Sequence, residues 1–421
     1  MSIMKSLMGA SLMALMAGTA SAEDIAITGG TAFTDGGKGK VENATVLIHD
    51  GKIQSVTAGG DVPQGYRTVD AAGKWVTVGF MAAGTELGLR EVSLSGNITD
   101  HNASKASNTI GMDAYYAFNP ASPVIPNTRI EGVTRATAGL TASKDMWEGQ
   151  GLVIALAGDD MIVRRHAYVA LDMDEGSANS NFGSRAALWD AIITKLEHAR
   201  PDEDNDGDKD DKKAKKPKYD SGKEALDRVM KGEVPLMITV ERRQDILHTI
   251  ALKKRFGINV VIHGGAEAWM VADELASAGI PVVLDPIRNL PEDFDTLANT
   301  GAAAARLHAA GVKVAFLPPD THNSRLVVQS AGNAVAMGMP WDAAVDAISK
   351  NPAEIFGVAG SYGTLEAGKD ADVVVWDGDP LELMTSPDAV FIRGEEVPLV
   401  SRQTKLRDRY KDISRAPAFK K

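Results

Sequence analysis

The middle of the chain alternates short apolar runs with longer segments in which apolar residues recur every three or four positions. The short runs are typical of buried strands, and the recurrence is typical of amphipathic helices. Helical patterns follow the later runs, at 244–256, 266–278, 302–310 and 341–349. The runs that predict strands lie at 76–82, 132–139, 151–158, 167–173, 235–241, 259–265, 280–286 and 312–318. This alternation predicts an α/β protein with eight β/α units, the number that closes a (β/α)8 TIM barrel.

The two ends of the chain have a different pattern, in which apolar and polar residues alternate with a period of two. Turn residues such as Asp50 and Gly51 separate the runs, and this combination predicts β-hairpins. We therefore expect one small composite β-sandwich domain, built from 23–75 and 360–402. The barrel would occupy 76–359, and 403–421 would form a charged C-terminal tail.

The first 22 residues predict a signal peptide. Lys5 precedes an apolar run, and Ala20 and Ala22 have the spacing of a cleavage site. Cleavage after Ala22 would place the mature protein in the periplasm or outside the cell, without membrane contact. A buried N-terminal helix is the alternative.

Residues 200–223 are almost entirely charged, first acidic and then basic. Such a segment predicts a disordered, solvated insertion between two barrel helices. A calcium loop is the alternative, because Asp202, Asp204, Asp206 and Gly207 match the start of that motif. Lys213, however, occupies the twelfth position, where the motif requires glutamate.

Composition narrows the range of functions. The chain of 421 residues has no cysteine, which excludes thiol catalysis and thiolate metal sites. Its formal net charge is −11 with histidine neutral, which argues against nucleic acid or an anionic membrane as a partner.

Several segments, taken in order along the chain, resemble the amidohydrolase superfamily, and within it the exported imidazolonepropionase-like amidohydrolases. The similar segments are VENATVLIHDGKIQSV, VDAAGKWVTVGF, GVTRA, AGNAVAMGM, AISKNPAEIFGV and GTLEAGKDADVVVWDGDPLE. The resemblance implies a TIM barrel that hydrolyses carbon–nitrogen bonds other than peptide bonds. It also implies one or two divalent metals that activate water.

The family's metal ligands can be placed on this sequence by the same resemblance. The His-x-His pair after the first strand falls on Gly84 and Glu86, so both histidines are absent. The histidines after the fifth and sixth strands fall on Thr239 and His263, and the aspartate after the eighth falls on Asp320. The family sometimes has a lysine or glutamate after the fourth strand; the nearest carboxylates here are Asp172 and Asp174.

The first hypothesis is a hydrolase with a degenerate metal site. Glu86, His263 and Asp320 would hold one divalent metal such as Mn²⁺, or Zn²⁺ more weakly. Asp320 and Glu241 would do the catalytic acid–base work, and a metal-free version in which two carboxylates share that work is also open. The pocket residues would be Thr239, Glu267, Trp269 and His322.

Two hypotheses of other classes remain open. A non-catalytic relative, or pseudoenzyme, would bind a small molecule or peptide-like ligand, and Gly84 and Thr239 favour it because they offer no metal ligand. A structural subunit of a homo- or hetero-oligomer is the other. The sequence identifies neither the substrate nor the partner.

Overall fold

The computed structural model describes residues 23–34, 39–91, 99–103, 105–106, 109–140, 142–143, 145–200 and 219–411. The predicted signal peptide, the candidate calcium loop within 201–218 and the end of the predicted tail lie outside the described residues. No helix within the described ranges is long and apolar enough to cross a membrane.

The strands are numbered in chain order. They are β1 (Ile25–Phe33), β2 (Lys40–His49), β3 (Lys52–Ala58), β4 (Arg67–Asp70), β5 (Trp75–Val78), β6 (Phe80–Thr85), β7 (Asn102–Ala103), β8 (Val133–Ala138), β9 (Ala142–Ser143), β10 (Trp147–Ala155), β11 (Ile162–Asp172), β12 (Leu236–Val240), β13 (Val260–Gly264), β14 (Val282–Leu284), β15 (Val314–Phe316), β16 (Val373–Trp376), β17 (Pro387–Ile392) and β18 (Glu395–Glu396).

The helices are numbered in the same way. They are α1 (Val124–Arg129), α2 (Glu175–Ser177), α3 (Arg185–His198), α4 (Ser221–Met230), α5 (Arg243–Phe256), α6 (Ala272–Ala278), α7 (Ala303–Ala309), α8 (Val327–Ala336), α9 (Trp341–Asp346), α10 (Lys350–Ile355) and α11 (Arg402–Tyr410). Short 3₁₀ turns cover Ala114–Tyr116, Ala268–Val271, Phe294–Thr296 and Thr321–Leu326, and a π turn covers Ala178–Phe182.

Eight strands form a nearly closed barrel in the order β6-β8-β10-β11-β12-β13-β14-β15. All eight predicted strand regions are confirmed as strands, although the first one divides at Gly79. There β5 leaves for the other sheet and β6 enters the barrel. The expectation of eight β/α units is wrong in one respect, since β10 runs antiparallel to both β8 and β11.

The connection between β10 and β11 explains this reversal. It spans only 156–161, between Ala155 and Ile162. A parallel pair needs a crossover of about a dozen residues or more, whereas a hairpin closes with a few. The two strands therefore form a hairpin, and no helix lies between them. The amino end of β10 consequently lies at the same end of the barrel as the carboxyl ends of its neighbours.

The second sheet, here called the composite sheet, confirms the prediction that both ends of the chain build one unit. Its strand order is β18-β17-β16-β5-β1-β2-β3, and β4 adds to β1 in parallel. Strand β16 from the C-terminal part pairs with β5 from the N-terminal part over four residues, Val373 to Trp376.

A buried ion pair joins the two sheets. Arg135 on β8 donates from Nε and Nη2 to the two carboxylate oxygens of Asp372, at 2.6 and 3.0 Å. Nη2 also donates to Asp370 at 2.9 Å, and the guanidinium lies 5.0 Å from the Tyr362 ring. Arg135 and Asp372 are fully buried. This cluster ties the barrel wall to the segment that enters β16.

Candidate functional site

The barrel interior is layered, and its last layer is polar. Side chains of a strand alternate between two faces, so every second residue points inward. The buried inward layer consists of Ala170, Met237, Val261, Val283 and Ala315. Two positions further along each strand come Asp172, Thr239, His263, Asp285 and Leu317. The chain thus ends its apolar core and begins a polar site at the carboxyl ends of these strands.

A cavity of about 280 Å³ opens at this end. Six of its lining residues are acidic, namely Asp174, Glu241, Asp285, Glu292, Asp293 and Asp295. Arg288 is the only arginine or lysine in the lining. Three of the acids have other partners: Asp174 caps α2, Asp293 caps a 3₁₀ turn, and Asp295 pairs with Arg185. The remaining wall is strongly acidic.

A larger cavity of about 510 Å³ lies at the opposite end of the barrel. Its wall includes Pro235, Asn259 and Pro281, which precede strands, and Gly279 and Gly311, which follow helices. In TIM barrels that end carries stability, and the chemistry lies at the carboxyl ends of the strands. We therefore take the smaller, acidic cavity as the candidate site.

His263 is held as a neutral imidazole. Its Nδ1 lies 3.2 Å from the Thr239 hydroxyl oxygen. Burial, and then the charge of Arg288, lower the pKa of His263 to about 4. At neutral pH the ring is therefore uncharged and can donate or accept a hydrogen bond.

Glu241 is fixed against the floor of the cavity. Its Oε2 accepts a hydrogen bond of 2.7 Å from the backbone N–H of Ala266. Gly264 has a φ of +88°, and a Cβ there would lie 2.3 Å from Glu241 Oε1, so this position requires glycine. Burial raises the pKa of Glu241 above its usual value, against the effect of the Ala266 hydrogen bond.

Two more carboxyl groups, those of Glu148 and Asp172, continue the acidic region beside the cavity. Glu148 is the extra residue of a β-bulge, because Trp147 pairs with Leu171 and Gly149 with Ala170. Burial, and then Asp174, raise the pKa of Asp172 to about 7. Burial, and then Asp172, raise the pKa of Glu148 well above its usual value.

Glu148 was not among the site residues predicted from the sequence. A parallel third strand would have placed this residue at the opposite end of the barrel. The signal that was available is the pair of glycines that follows it in WEGQG, which is typical of a bulge in a strand.

Gly84 approaches the same centre from β6 and leaves no room for a side chain. Its φ is +63°, and a Cβ at this position would lie 2.3 Å from Leu317 Cδ2 and 3.0 Å from His263 Nε2. The peptide N–H of Gly84 donates to Thr137 Oγ1 at 2.6 Å. Leu317 and the His263 ring thus fill the space next to the end of the first barrel strand.

Comparison with known proteins agrees with this architecture. The model of the amidohydrolase family matches residues 198–399. A solved amidohydrolase from Thermotoga maritima MSB8 is 26% identical, with a TM-score of 0.79 over 90% of this chain and 100% of that one. The chain belongs to the amidohydrolase superfamily.

Other relatives of this amidohydrolase chain are more distant. A prolidase solved with N-methylphosphonate-L-proline is 16% identical, with a TM-score of 0.54 over 89% of this chain and 99% of that one, and it supports the fold alone. The amidohydrolase tasK of Hapsidospora irregularis is 39% identical over 72 residues. That match spans 17% of this chain and 7% of the relative's length.

Amidohydrolases generally bind divalent metals, so the residues at the end of the barrel can be tested for that fit. Among the residues that the structure describes, no three His, Cys, Asp or Glu side chains are grouped so that they could hold a metal ion. Gly84 and Thr239 supply no imidazole, and Leu317 contributes an apolar side chain to the same space. The described residues therefore do not fit a divalent centre at this position.

Glu86 lies near this space but outside the cavity wall. Its buried carboxylate pairs with Arg90 at 2.9 Å, and His101 Nε2 lies 3.8 Å away. The hydroxyl of Thr321 also lies against the Glu86 carboxylate, at 3.4 Å. Burial lowers the pKa of His101. Glu86 thus belongs to a separate polar cluster with Arg90, His101 and Thr321.

The other predicted site residues lie elsewhere. Asp320 is 39% exposed and pairs with His322 at 3.1 Å, and neither residue lines the cavity. Glu267 accepts a hydrogen bond of 2.6 Å from Arg243 N at the start of α5. Trp269 donates to the Ala298 carbonyl at 3.1 Å. The structure thus brings Thr239, Glu241 and His263 together in one cavity, and leaves Glu86, Asp320, His322, Glu267 and Trp269 outside it.

Proposed function

We propose that this chain hydrolyses a carbon–nitrogen bond of a small amide-type molecule in the acidic cavity, and that a carboxyl group does the acid–base work in place of a divalent centre. The observation that carries the proposal is Glu241. It is a buried carboxyl group, anchored by the Ala266 N–H at 2.7 Å, in the wall of a cavity at the carboxyl end of the barrel.

Glu241 would act as the general base. A carboxylate whose pKa is raised toward neutral pH removes a proton from water more effectively than an ordinary one. Water would lose its proton to Glu241 and add its oxygen to the amide carbon. His263, neutral beside Thr239, would donate a hydrogen bond to the carbonyl oxygen as negative charge develops there.

The leaving amine needs a proton when the carbon–nitrogen bond breaks. Glu241, protonated by the attacking water, lines the same cavity and would pass this proton to the leaving nitrogen. One water is consumed, and an acid and an amine are formed.

Binding without turnover is the second candidate, and one observation favours it. Gly84, Leu317 and the His263 ring pack closely where the superfamily's metal ligands would project. A pseudoenzyme of this kind would keep the cavity as a ligand site, alone or as a subunit of a larger assembly.

A substrate panel separates the two candidates. Full-length protein would be incubated with N-acetyl amino acids, cyclic amides and dipeptides, and amine release measured by fluorescent derivatisation. We expect turnover that survives a chelator, is lost in Glu241→Gln and is kept in Asp320→Asn. Loss of turnover with chelator, or in Asp320→Asn, would contradict the carboxyl mechanism. Thermal stabilisation by a panel compound without amine release would favour the binding candidate.

A further inference from the structure

Glu148 is an unusual acidic residue in the described part of the chain, because it is buried without a hydrogen-bond donor. Its carboxyl group is buried, with 7% of the residue exposed, and no described residue donates a hydrogen bond to it. Buried polar groups are almost always paired, so such an exception calls for an explanation. The bulge at Trp147–Gly149 fixes it there. Gly149 has a φ of +82°, and a Cβ on it would lie 2.7 Å from the Met112 carbonyl oxygen.

The described charged groups that act on Glu148 are acidic. Among the described residues, the charges that influence its carboxyl group are Asp172, Asp174 and Glu86, and none of them is a cation. Arg90, which is paired with Glu86, is not among the charges that act on Glu148. A group of buried carboxylates without a cation is unfavourable unless protons or a bound cation neutralise it.

An organic cation fits these described carboxyl groups better than a metal ion does. A hard metal ion needs several oxygens within about 2.0–2.6 Å of one point, and no three side chains in the described residues are grouped in that way. An ammonium group has three donors that reach separate acceptors at about 2.8 Å, so it bridges more widely spaced carboxylates.

We propose that Glu148, Asp172 and Asp174 form a recognition site for the ammonium group of a primary amine, whose body occupies the cavity next to Asp174. Asp174 connects the two regions, because it lines the cavity and its charge acts on Glu148. The inference deepens the proposed function, since it names an amine-bearing compound as the molecule bound. It does not depend on turnover.

Binding of an ammonium group should release protons. In the empty site, burial and the neighbouring carboxylates raise the pKa values of Glu148 and Asp172, so this site retains protons to higher pH than ordinary carboxylates do. A bound cation favours the ionised carboxylates and therefore displaces those protons. This coupling is a signature that simple burial of a carboxylic acid does not produce.

Isothermal titration calorimetry with two matched probes tests the site. The probes are L-alaninamide, which carries an ammonium group, and L-lactamide, which has a hydroxyl in its place. Each would be titrated into full-length protein at pH 7 in phosphate and in HEPES, two buffers that have different ionisation heats and contain no primary amine. We expect alaninamide to bind at least about tenfold more tightly, because hydrogen bonds to a charged group are stronger than those to a neutral hydroxyl. Its heat should differ between the buffers.

Variants keep the test decisive. Glu148→Gln, checked for native circular dichroism, should weaken alaninamide binding about tenfold or more and reduce the buffer dependence, while leaving lactamide binding unchanged. Asp172→Asn serves as a second variant with the same expectation. Glu382→Gln, an exposed residue in the β16–β17 loop, should change nothing.

Equal binding of the two probes, no binding of either, or heats that agree between buffers would overturn the inference. Proton-coupled binding of alaninamide without amide hydrolysis of any panel compound would support the inference and contradict the proposed turnover.

Discussion

Two groups of buried carboxylates in this molecule lie in opposite electrostatic situations. At the junction of the two sheets, Asp370 and Asp372 surround the buried Arg135. Burial alone would raise the pKa of Asp370, but the Lys52 hydrogen bond and the Arg135 charge hold it below its usual value. At the barrel mouth, Asp172 lies in an acidic neighbourhood, and its pKa is raised to about 7.

The difference lies in the cation. The chain supplies a cation at the junction, and the result is a closed, fully buried contact that joins the two sheets. Within the part of the chain that the structure describes, no cation acts on Glu148, and the result is a group whose charge is open to a ligand. Burial is common to both groups, so burial alone does not mark a functional region. Perturbed carboxyl groups mark one here because no described neighbour supplies a cation.

The largest expected effect comes from breaking the junction. Arg135→Ala leaves Asp372 as a fully buried carboxylate without its cation, which should destabilise the fold by about 3–5 kcal/mol. The midpoint of urea unfolding, followed by circular dichroism, measures this. Arg402→Ala, on an exposed position of α11, is the matched control and should stay within about 0.5 kcal/mol. A small change in Arg135→Ala would mean that the pair does not hold the sheets together.

The second prediction concerns pH and sharpens the comparison. Because the folded pKa of Asp172 is about 7 and its ordinary value is 3.8, the folded state holds the extra proton between these values. Stability from this group is therefore present at low pH and is lost as the pH rises from about 4 to 7. Asp172→Asn should flatten that loss, measured as thermal midpoints across the range.

For Asp370 we expect the opposite dependence of stability on pH. Its folded pKa is lowered, so the stability it contributes is present above its ordinary value of 3.8 and is lost as the pH falls through the lower folded pKa. Asp370→Asn should therefore weaken the protein at neutral pH and bring its stability closer to that of the wild type in acid. If both aspartate variants shifted stability in the same direction with pH, the contrast between the two groups would be wrong.

The smallest expected effect is at the edge of the junction. Lys52 pairs with Asp370, but about half of the lysine side chain is exposed, so the surrounding water screens the interaction. Lys52→Ala should lower stability by about 0.2–1 kcal/mol, with less loss at high salt. Denaturant midpoints at low and high salt would check this. An effect as large as that of Arg135→Ala would place the important charge pair at the surface.

The strands and the composite sheet could be predicted from sequence because they depend on local patterns. Period-two alternation, Asp-Gly turns and apolar runs are visible in the chain itself. The direction of β10 could not be predicted from apolar content, since a buried strand has the same apolar pattern in either direction. The short 156–161 connection was the one physical signal, and it depends on loop length.

Only the part of the site that lies at strand ends was predicted correctly, because strand periodicity determines it. Thr239, Glu241 and His263 follow one another at carboxyl ends of strands, so the rule for barrels places them together. Asp320 directly precedes the 3₁₀ turn after β15, and Glu267 follows β13 and accepts from Arg243 N at the start of α5. Local backbone geometry directs both side chains. Such geometry is set by packing between distant segments, which a single sequence does not reveal.

The reversed β10 also changes which part of the chain an engineer should vary. In a regular barrel, new specificities are introduced in segments that follow strands. Here residues at the beginning of β10, held by a bulge, lie at the same end of the barrel, beside the cavity. Libraries aimed at the activity of this scaffold should therefore include the segment that precedes β10, which randomisation of post-strand loops alone would leave untouched.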